Sequence, residues 1–359
     1  MGAGAGSPIV AEATANIDRD FANNGAPFTL PPVSNPAALQ GKTLMYLSAG
    51  ISSPSGTAGV AALEAVRDQL GFSLVTFDGQ FTPSRYQDGM RQAVAQKVDA
   101  LIVYGISCAG NESALREVHA AGIKIIGLQS VDCNEADPSA PAMFDTQPLY
   151  PLGDKTIRGG EVWAANGAAQ ADYLISQLEG NVKVIQFDVP DFAVTAALGR
   201  GFKERMAECS TCEIVESIDV AVADFGPGLQ QKAEQALLKH PDANAVAINY
   251  DDLVTLGLSA AIQSSGRKAD LVTVAGTGYE ATLDMIRQDN GLKAGWVQNH
   301  DWDHYAGIDT TLRLLSGQQP EVSGIPVILY DKDHNISESG GFTPATDFRP
   351  VFEQAWASR

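Results

Sequence analysis

The sequence predicts an α/β protein made of two doubly wound units, each built on a parallel sheet. Three observations carry the prediction. Residues 41–77, GKTLMYLSAGISSPSGTAGVAALEAVRDQLGFSLVTF, read as strand, polar loop, helix and strand. The same βα rhythm continues to residue 128 and restarts after a proline-rich break. The 359 residues, 45% hydrophobic and 19% charged, suit a globular chain of two ordinary domains. Within the opening stretch Leu44 to Leu47 is an apolar run of strand length, and Ser48 to Gly56 holds only Gly, Ser, Pro, Ala and Ile, a loop composition. Val60, Leu63, Val66 and Leu70 then recur at three- and four-residue steps, and Gly71 supplies a stop. A βαβ unit with short links requires a right-handed crossover and a parallel sheet, and such sheets hold ligands beyond their carboxyl strand ends. The loop carrying Ser53 and Ser55 is therefore a candidate binding loop.

Residues 1–40, rich in Ala, Asn and Pro, read as an extended arm with at most one helical turn, a spacer rather than a leader. A mature secreted protein or lipoprotein would begin this way, and a cytoplasmic protein with a loose start is the alternative. After the first βαβ unit, Tyr86, Met90, Val94 and Val98 mark a helix over 84–98, followed by a strand over 100–104, a helix over 112–121 and a strand over 123–128. Residues 132–160 break the rhythm with prolines at 138, 141, 148 and 151, as a flap or a domain boundary would. Helices are then predicted at 163–178, 195–207, 227–239, 252–265 and 280–288, alternating with strands at 182–187, 213–220, 245–249, 271–275 and 293–297. A last helix over 303–315 and a strand over 327–329 precede a tail whose Phe342, Phe348, Phe352 and Trp356 are expected to pack on the body.

The formal net charge of −19 argues against nucleic-acid binding, which needs a basic face to release counterions from phosphate. No apolar run approaches the roughly 20 residues that span a bilayer. Cys108 and Cys133 each follow a strand, so loops from neighbouring parallel strands could bring them together as a disulfide. Cys209 and Cys212 form a Cys-x-x-Cys for which a redox or half-metal role is conceivable, but no second pair completes a metal set. Two structural disulfides and an oxidising compartment are the preferred reading, free thiols the other. The first loop has neither Gly-x-Gly-x-x-G nor a P-loop Lys, and no Gly-x-Ser-x-Gly, His-Glu-x-x-His or Ser-x-x-Lys occurs. An enzyme would draw on Asp251, Asp252, His300 and Asp303, or on a nucleotide site on the βα loops. His300 and His304 are at metal-pair spacing, but a rim or crossing position explains His300 as well.

The order of these features resembles the type I periplasmic solute-binding proteins of ABC transporters, above all their ribose-binding-protein-like, sugar-binding branch. The likeness covers residues 41–330. It rests on Ser53-Pro54 in the first loop, Leu70-Gly71 at the helix end, Gly201-Phe202, the segment AVAINYDDLVTLGLSAAIQSSG with Asp251-Asp252 and Leu256-Gly257, VTVAGTGYEATLDMI, and Gln298 after LKAGWV. The resemblance implies two Rossmann-like lobes joined by a three-segment hinge near 158–163, 297–301 and 329–333. Residues 41–160 and 299–330 would form lobe 1, and 161–298 with 331–359 lobe 2 and the tail, with ligand held in the cleft. It further implies a monomer outside the cytoplasm that is no enzyme, needs no cofactor, and passes a small neutral solute to ABC permease subunits. A sensor for a membrane receptor shares the fold.

The site departs from the ribose type. Where that type has two stacking aromatics, this chain has Ser55 and Gly56; an Asp-Arg pair becomes Gln129-Ser130, an arginine becomes Leu198, and the aspartate of a later turn becomes Gly278, followed by Tyr279. Charged bidentate pairs make a site strict for vicinal hydroxyls. Without them a larger, cyclic, aromatic or less hydroxylated ligand is the alternative to a sugar or polyol. Candidate ligand residues are Ser53, Ser55, Gln129, Trp163, Phe192, Tyr250, Asp251, Tyr279, Gln298 and Trp302, with ordinary packing the competing role for each aromatic and an exposed helix cap the competing role for Asp251.

Overall fold

The computed structural model describes residues 7–297, 299–325 and 328–357. Its elements begin with a correction. The arm is helical over α1 (Pro8–Ala22), with proline in the first turn and Val10, Ala13 and Ile17 buried along one face. Three apolar residues at helical spacing decide this once another element covers them. Thr14 Oγ1 lies 2.9 Å from Ser176 Oγ, Asn16 Nδ2 donates to Asp172 at 2.9 Å, and α1 runs beside the last strand of its unit.

The first sheet follows. It comprises β1 (Thr43–Ser48), β2 (Ser73–Asp78), β3 (Ala100–Tyr104) and β4 (Lys124–Leu128), parallel and in the order β2-β1-β3-β4. Its helices are α2 (Pro54–Leu70), α3 (Pro83–Gln96) and α4 (Glu112–Ala120). Ser53 caps α2 by accepting from Gly56 N, and Gly71 ends it in the left-handed region with φ 74°. Met45, Leu47, Met90, Leu101, Val103 and Leu115 lie in the core on one side of this sheet. The proline-rich segment contains α5 (Cys133–Ala136) and a hairpin of β5 (Tyr150–Leu152) and β6 (Lys155–Ile157). Thr146 bridges alongside Ile126, so the segment adds pairing at the β4 edge.

The second sheet begins after α6 (Gly160–Gln177). Its elements are β7 (Lys183–Asp188), α7 (Ala193–Glu208), β8 (Glu213–Asp219), α8 (Pro227–Lys239), β9 (Ala245–Ile248), α9 (Asp251–Leu253), a π-helical turn over Val254–Leu258, α10 (Ser259–Ser264), β10 (Val272–Thr277), α11 (Glu280–Arg287) and β11 (Ala294–Val297). The single helix expected over 252–265 is thus broken by a wide turn at Gly257, where a Cβ would press on Gln230 N of α8. Next come α12 (His300–Leu315), β12 (Ile328–Asp331) and α13 (Arg349–Trp356). The strand order is β12-β11-β10-β9-β7-β8, parallel except for the antiparallel β11-β12 pair, a departure from the all-parallel expectation. Ile185, Phe187, Val246, Ile248, Leu253 and Leu283 belong to this unit's core.

The chain divides into two compact units. The first holds Gly25–Val162, Asn299–Pro326 and Ala345–Arg359, and the second Met1–Asn24, Trp163–Gln298 and Val327–Pro344. The start of the arm belongs with the second sheet, and one assignment differs from the expectation: the last fifteen residues, expected with the second sheet, belong with the first. The reason is apolar. Phe348, Phe352 and Trp356 pack on Tyr305 of α12, and Phe28 closes the same cluster. Beneath it Arg313 donates to Asp309 at 2.7 Å, Trp356 Nε1 donates to the other Asp309 oxygen at 2.9 Å, and Arg313 Nη2 donates to Pro31 O at 2.7 Å.

Candidate functional site

Chain order reverses across each sheet at one place, between β1 and β3 in the first unit and between β7 and β9 in the second. In open parallel sheets such a switch point, at the carboxyl ends, leaves the crevice where ligands bind.

In the first unit the β1 loop lies at this edge. Ser53 Oγ accepts from Gly56 N at 3.0 Å, capping the helix, and donates to Gly50 O at 2.8 Å, so its proton is spent within the loop; Ser55 Oγ lies 3.2 Å from it. Gln129, at the end of β4 with φ 49°, spends both amide hydrogens on Tyr150 Oη at 3.0 Å and Asp303 Oδ2 at 2.9 Å, and Tyr150 closes the triangle by donating to Asp303 Oδ1 at 3.1 Å. Ser130 is buried and donates to Val103 O and Leu128 O. Trp302 is 0% exposed, donates to Ser323 O and stacks on Phe348 with centroids 4.9 Å apart, a core residue rather than a ligand contact. The expectation that it contacts ligand is thereby corrected: α12 turns this position toward the C-terminal aromatics.

The two histidines are tuned by burial. His304 is pushed down to about 3 and His300 to about 4 because the apolar surroundings penalise the charged ring. His304 Nδ1 lies 2.6 Å from His300 O, and a carbonyl only accepts, so Nδ1 carries the proton and Nε2 accepts from Tyr46 Oη at 2.9 Å. Both ring nitrogens are thus occupied, which removes the His300/His304 metal pair. Gly59 makes room for the pair, since a Cβ there would collide with Tyr46 Oη and His304 Nε2.

In the second unit the switch point is bordered by Phe192, which precedes α7, and Tyr250, which precedes α9. Their centroids are 6.3 Å apart, and Phe225 lies 6.5 Å from Tyr250. All three are half-buried, and Phe225 has no signal of its own in the sequence beyond being an aromatic in a loop. Burial pushes the Tyr250 phenol far up, with Tyr279 and Asp252 adding to it. Asp188 ends β7 by accepting from Lys203 at 2.6 Å, Gln186 and Asn249. Trp163 is buried against Ala197 and Leu198 with Nε1 unpartnered, so the place of the missing arginine is apolar. Gln298 lies outside the described residues.

Asp251 takes a role that its sequence neighbourhood does not indicate. It is 0% exposed, not an exposed cap, and its Oδ2 accepts from Gly278 N at 2.9 Å, Tyr279 N at 3.2 Å and Thr282 Oγ1 at 2.7 Å. Burial raises its pKa to about 7, against those hydrogen bonds, which lower it. Gly278, at φ 71°, supplies the left-handed turn that aims its N–H at the carboxylate. Asp251 therefore holds the β10–α11 loop that presents Tyr279. Asp251 is thus committed to that loop and Asp303 to Gln129 and Tyr150, so two of the four residues an enzyme would draw on serve the frame.

Both cysteine pairs are disulfides, Cys108–Cys133 with Cα atoms 5.1 Å apart and Cys209–Cys212 with 5.3 Å. The first ties the β3 and β4 loops at the carboxyl edge. Among the described residues no helix is long and apolar enough to cross a membrane.

Comparison with known proteins places these features. Residues 57–319 match the family model described as a periplasmic binding protein domain. The chain is 24% identical over 243 residues to the ABC transporter periplasmic-binding protein YphF of Escherichia coli (strain K12), covering 67% of this chain and 70% of that one. It is similar to the crystal structure of GanP, a glucose-galactose binding protein from Geobacillus stearothermophilus, with TM-score 0.69 and 16% identity over 82% of this chain and 98% of that one. It is likewise similar to an ABC transporter solute binding protein from Bacillus halodurans C-125 with bound myo-inositol, with TM-score 0.67 and 16% identity over 82% and 96%. At these identities the structural likeness is one of fold.

Proposed function

The chain belongs to the periplasmic binding protein domain family, a solute-binding and non-enzymatic class of extracytoplasmic transport protein, and from that premise we propose that it captures a sugar or cyclic polyol for an ABC permease. It works as a monomer, secreted or held by a lipid anchor, in a compartment oxidising enough to keep both disulfides. The solute is taken at a carboxyl sheet edge, where open parallel sheets hold ligands.

The observation that carries this reading is the aromatic group at the second switch point. Phe192, Phe225 and Tyr250 are half-buried there, and the buried Asp188 and Asp251 of this sheet edge already have partners. Aromatic faces flanked by a few polar groups suit the C–H face of a neutral ring. The glucose-galactose binding protein and the myo-inositol complex are consistent with that class. The apolar contact of Trp163 with Leu198, where a strict sugar site would carry arginine, favours a second reading, a cyclic or aromatic metabolite with fewer hydroxyls.

Thermal unfolding of the whole chain against D-glucose, D-galactose, D-allose, myo-inositol, nucleosides and aromatic acids separates the two. At about 100 times its dissociation constant a ligand adds roughly 2.7 kcal/mol, a visible shift of the midpoint. A shift with a sugar or polyol recovered unchanged supports the first reading. A shift with aromatic compounds alone replaces it with the second, and turnover of a bound compound would overturn both.

A further inference from the structure

We infer that Phe81, on the loop between β2 and α3, is a face on which ligand stacks at the first unit's carboxyl edge, in place of the aromatics missing from the β1 loop. The inference rests on the sugar reading above.

Three features converge on this residue. First, Gln80 and Phe81 both occupy the left-handed region, with φ 50° and 51°, although neither is glycine. L-residues rarely adopt that conformation, and two in succession persist only where the surroundings over-determine them. They do here: Asp78 Oδ1 accepts from Ile51 N at 2.9 Å and Gln80 N at 3.0 Å, and Phe81 N donates to Ala49 O at 2.7 Å, so the β1 and β2 loops are tied into one piece.

Second, this backbone presents the ring rather than hiding it. Phe81 is 42% exposed, while Tyr86, five residues on, lies in the core. Third, the ring rests on Gly50, where a Cβ would run into its Cδ2, Cε2 and Cζ atoms. Gly50 belongs to the loop that holds Ser53 and Ser55. That loop itself has no room for an aromatic at position 56, because a Cβ on Gly56 would strike Gly50 O. The space an aromatic of the β1 loop would serve is thus reached from the neighbouring loop, at the same carboxyl edge. An exposed aromatic face at a carboxyl sheet edge is a surface on which the C–H face of a sugar ring gains contact.

The test is calorimetric titration of the whole chain with D-galactose and with myo-inositol, on wild type and on Phe81→Ala, Phe81→Trp and Gly50→Ala. Phe81→Ala is expected to weaken binding of the probe about tenfold or more, Phe81→Trp to stay within about threefold of wild type, and Gly50→Ala, which drives the ring from its seat, to follow Phe81→Ala. If Phe81→Ala lowers the ligand-free melting midpoint, Phe81→Leu decides instead, because it keeps apolar volume over Gly50 without a planar face. Binding by the alanine or leucine variant within about twofold of wild type overturns the role of Phe81 and leaves the sugar reading standing. A wild type that binds neither probe means that the sugar reading has failed, and this inference falls with it.

Discussion

Asp251 offers a test of how the second unit holds its loop. Because burial raises its pKa, the native state binds a proton more tightly than the unfolded chain, whose aspartates titrate near 3.9. With a native value of about 7, the stability this group contributes is fully present below about pH 4 and lost as pH rises through 7. Between pH 5 and pH 8 the linkage amounts to roughly 2–3 kcal/mol. Asp251→Asn keeps an acceptor for Gly278 N, Tyr279 N and Thr282 Oγ1 but cannot titrate. Other groups contribute to the pH dependence of both proteins alike, so the diagnostic is the difference between them. Native-state hydrogen exchange over β10 and α11, corrected for intrinsic rates, should show wild type losing that 2–3 kcal/mol relative to Asp251→Asn from pH 5 to pH 8. Parallel profiles, within about 0.5 kcal/mol, would refute the assignment of a neutral buried carboxyl to this loop.

Two further perturbations test the frame. Helices α6 and α7 cross with backbone contact, since a Cβ on Gly201 would strike Ala164 O and one on Gly167 would strike Leu198 O; Gly201→Ala should therefore cost about 3 kcal/mol or more by urea unfolding. Gly228→Ala, whose nearest neighbour would be 3.8 Å away, should be neutral or slightly stabilising, and equal losses at the two sites would contradict the crossing. Asp309→Ala strands the fully buried Arg313 and should cost about 3–5 kcal/mol, whereas Asp309→Leu with Arg313→Met should recover much of it. A single-variant loss under about 1 kcal/mol would show that Asp309 does not neutralise that arginine.

Much of the fold was legible because it is local. The β1–α2–β2 unit could be read from apolar spacing, a polar loop and Gly71, and the pairing of Cys108 with Cys133 followed from two loops leaving adjacent strands. The candidate site was less legible. Ser53, Phe192, Tyr250 and Tyr279 could be singled out because strand ends can be located from periodicity, but Phe81 and Phe225 sit in loops where nothing in the spacing sets one aromatic apart from another. Trp302 shows the converse: beside a predicted crossing it resembles a rim residue, and only its stacking on Phe348 places it in the core.

The sequence by itself determined most strands and helices of the two βα repeats between residues 41 and 315, and which loops lie at the carboxyl edge, because these follow from the period of side-chain burial and the handedness of the crossover. Only the tertiary structure decided that β12 runs antiparallel, that α1 docks beside it, that the tail covers α12, and that Asp251 serves a loop twenty-seven residues away. Each of those depends on which distant partner satisfies a buried face, charge or donor. That choice is made by packing the whole chain and leaves no periodic trace in the neighbourhood of the residue concerned.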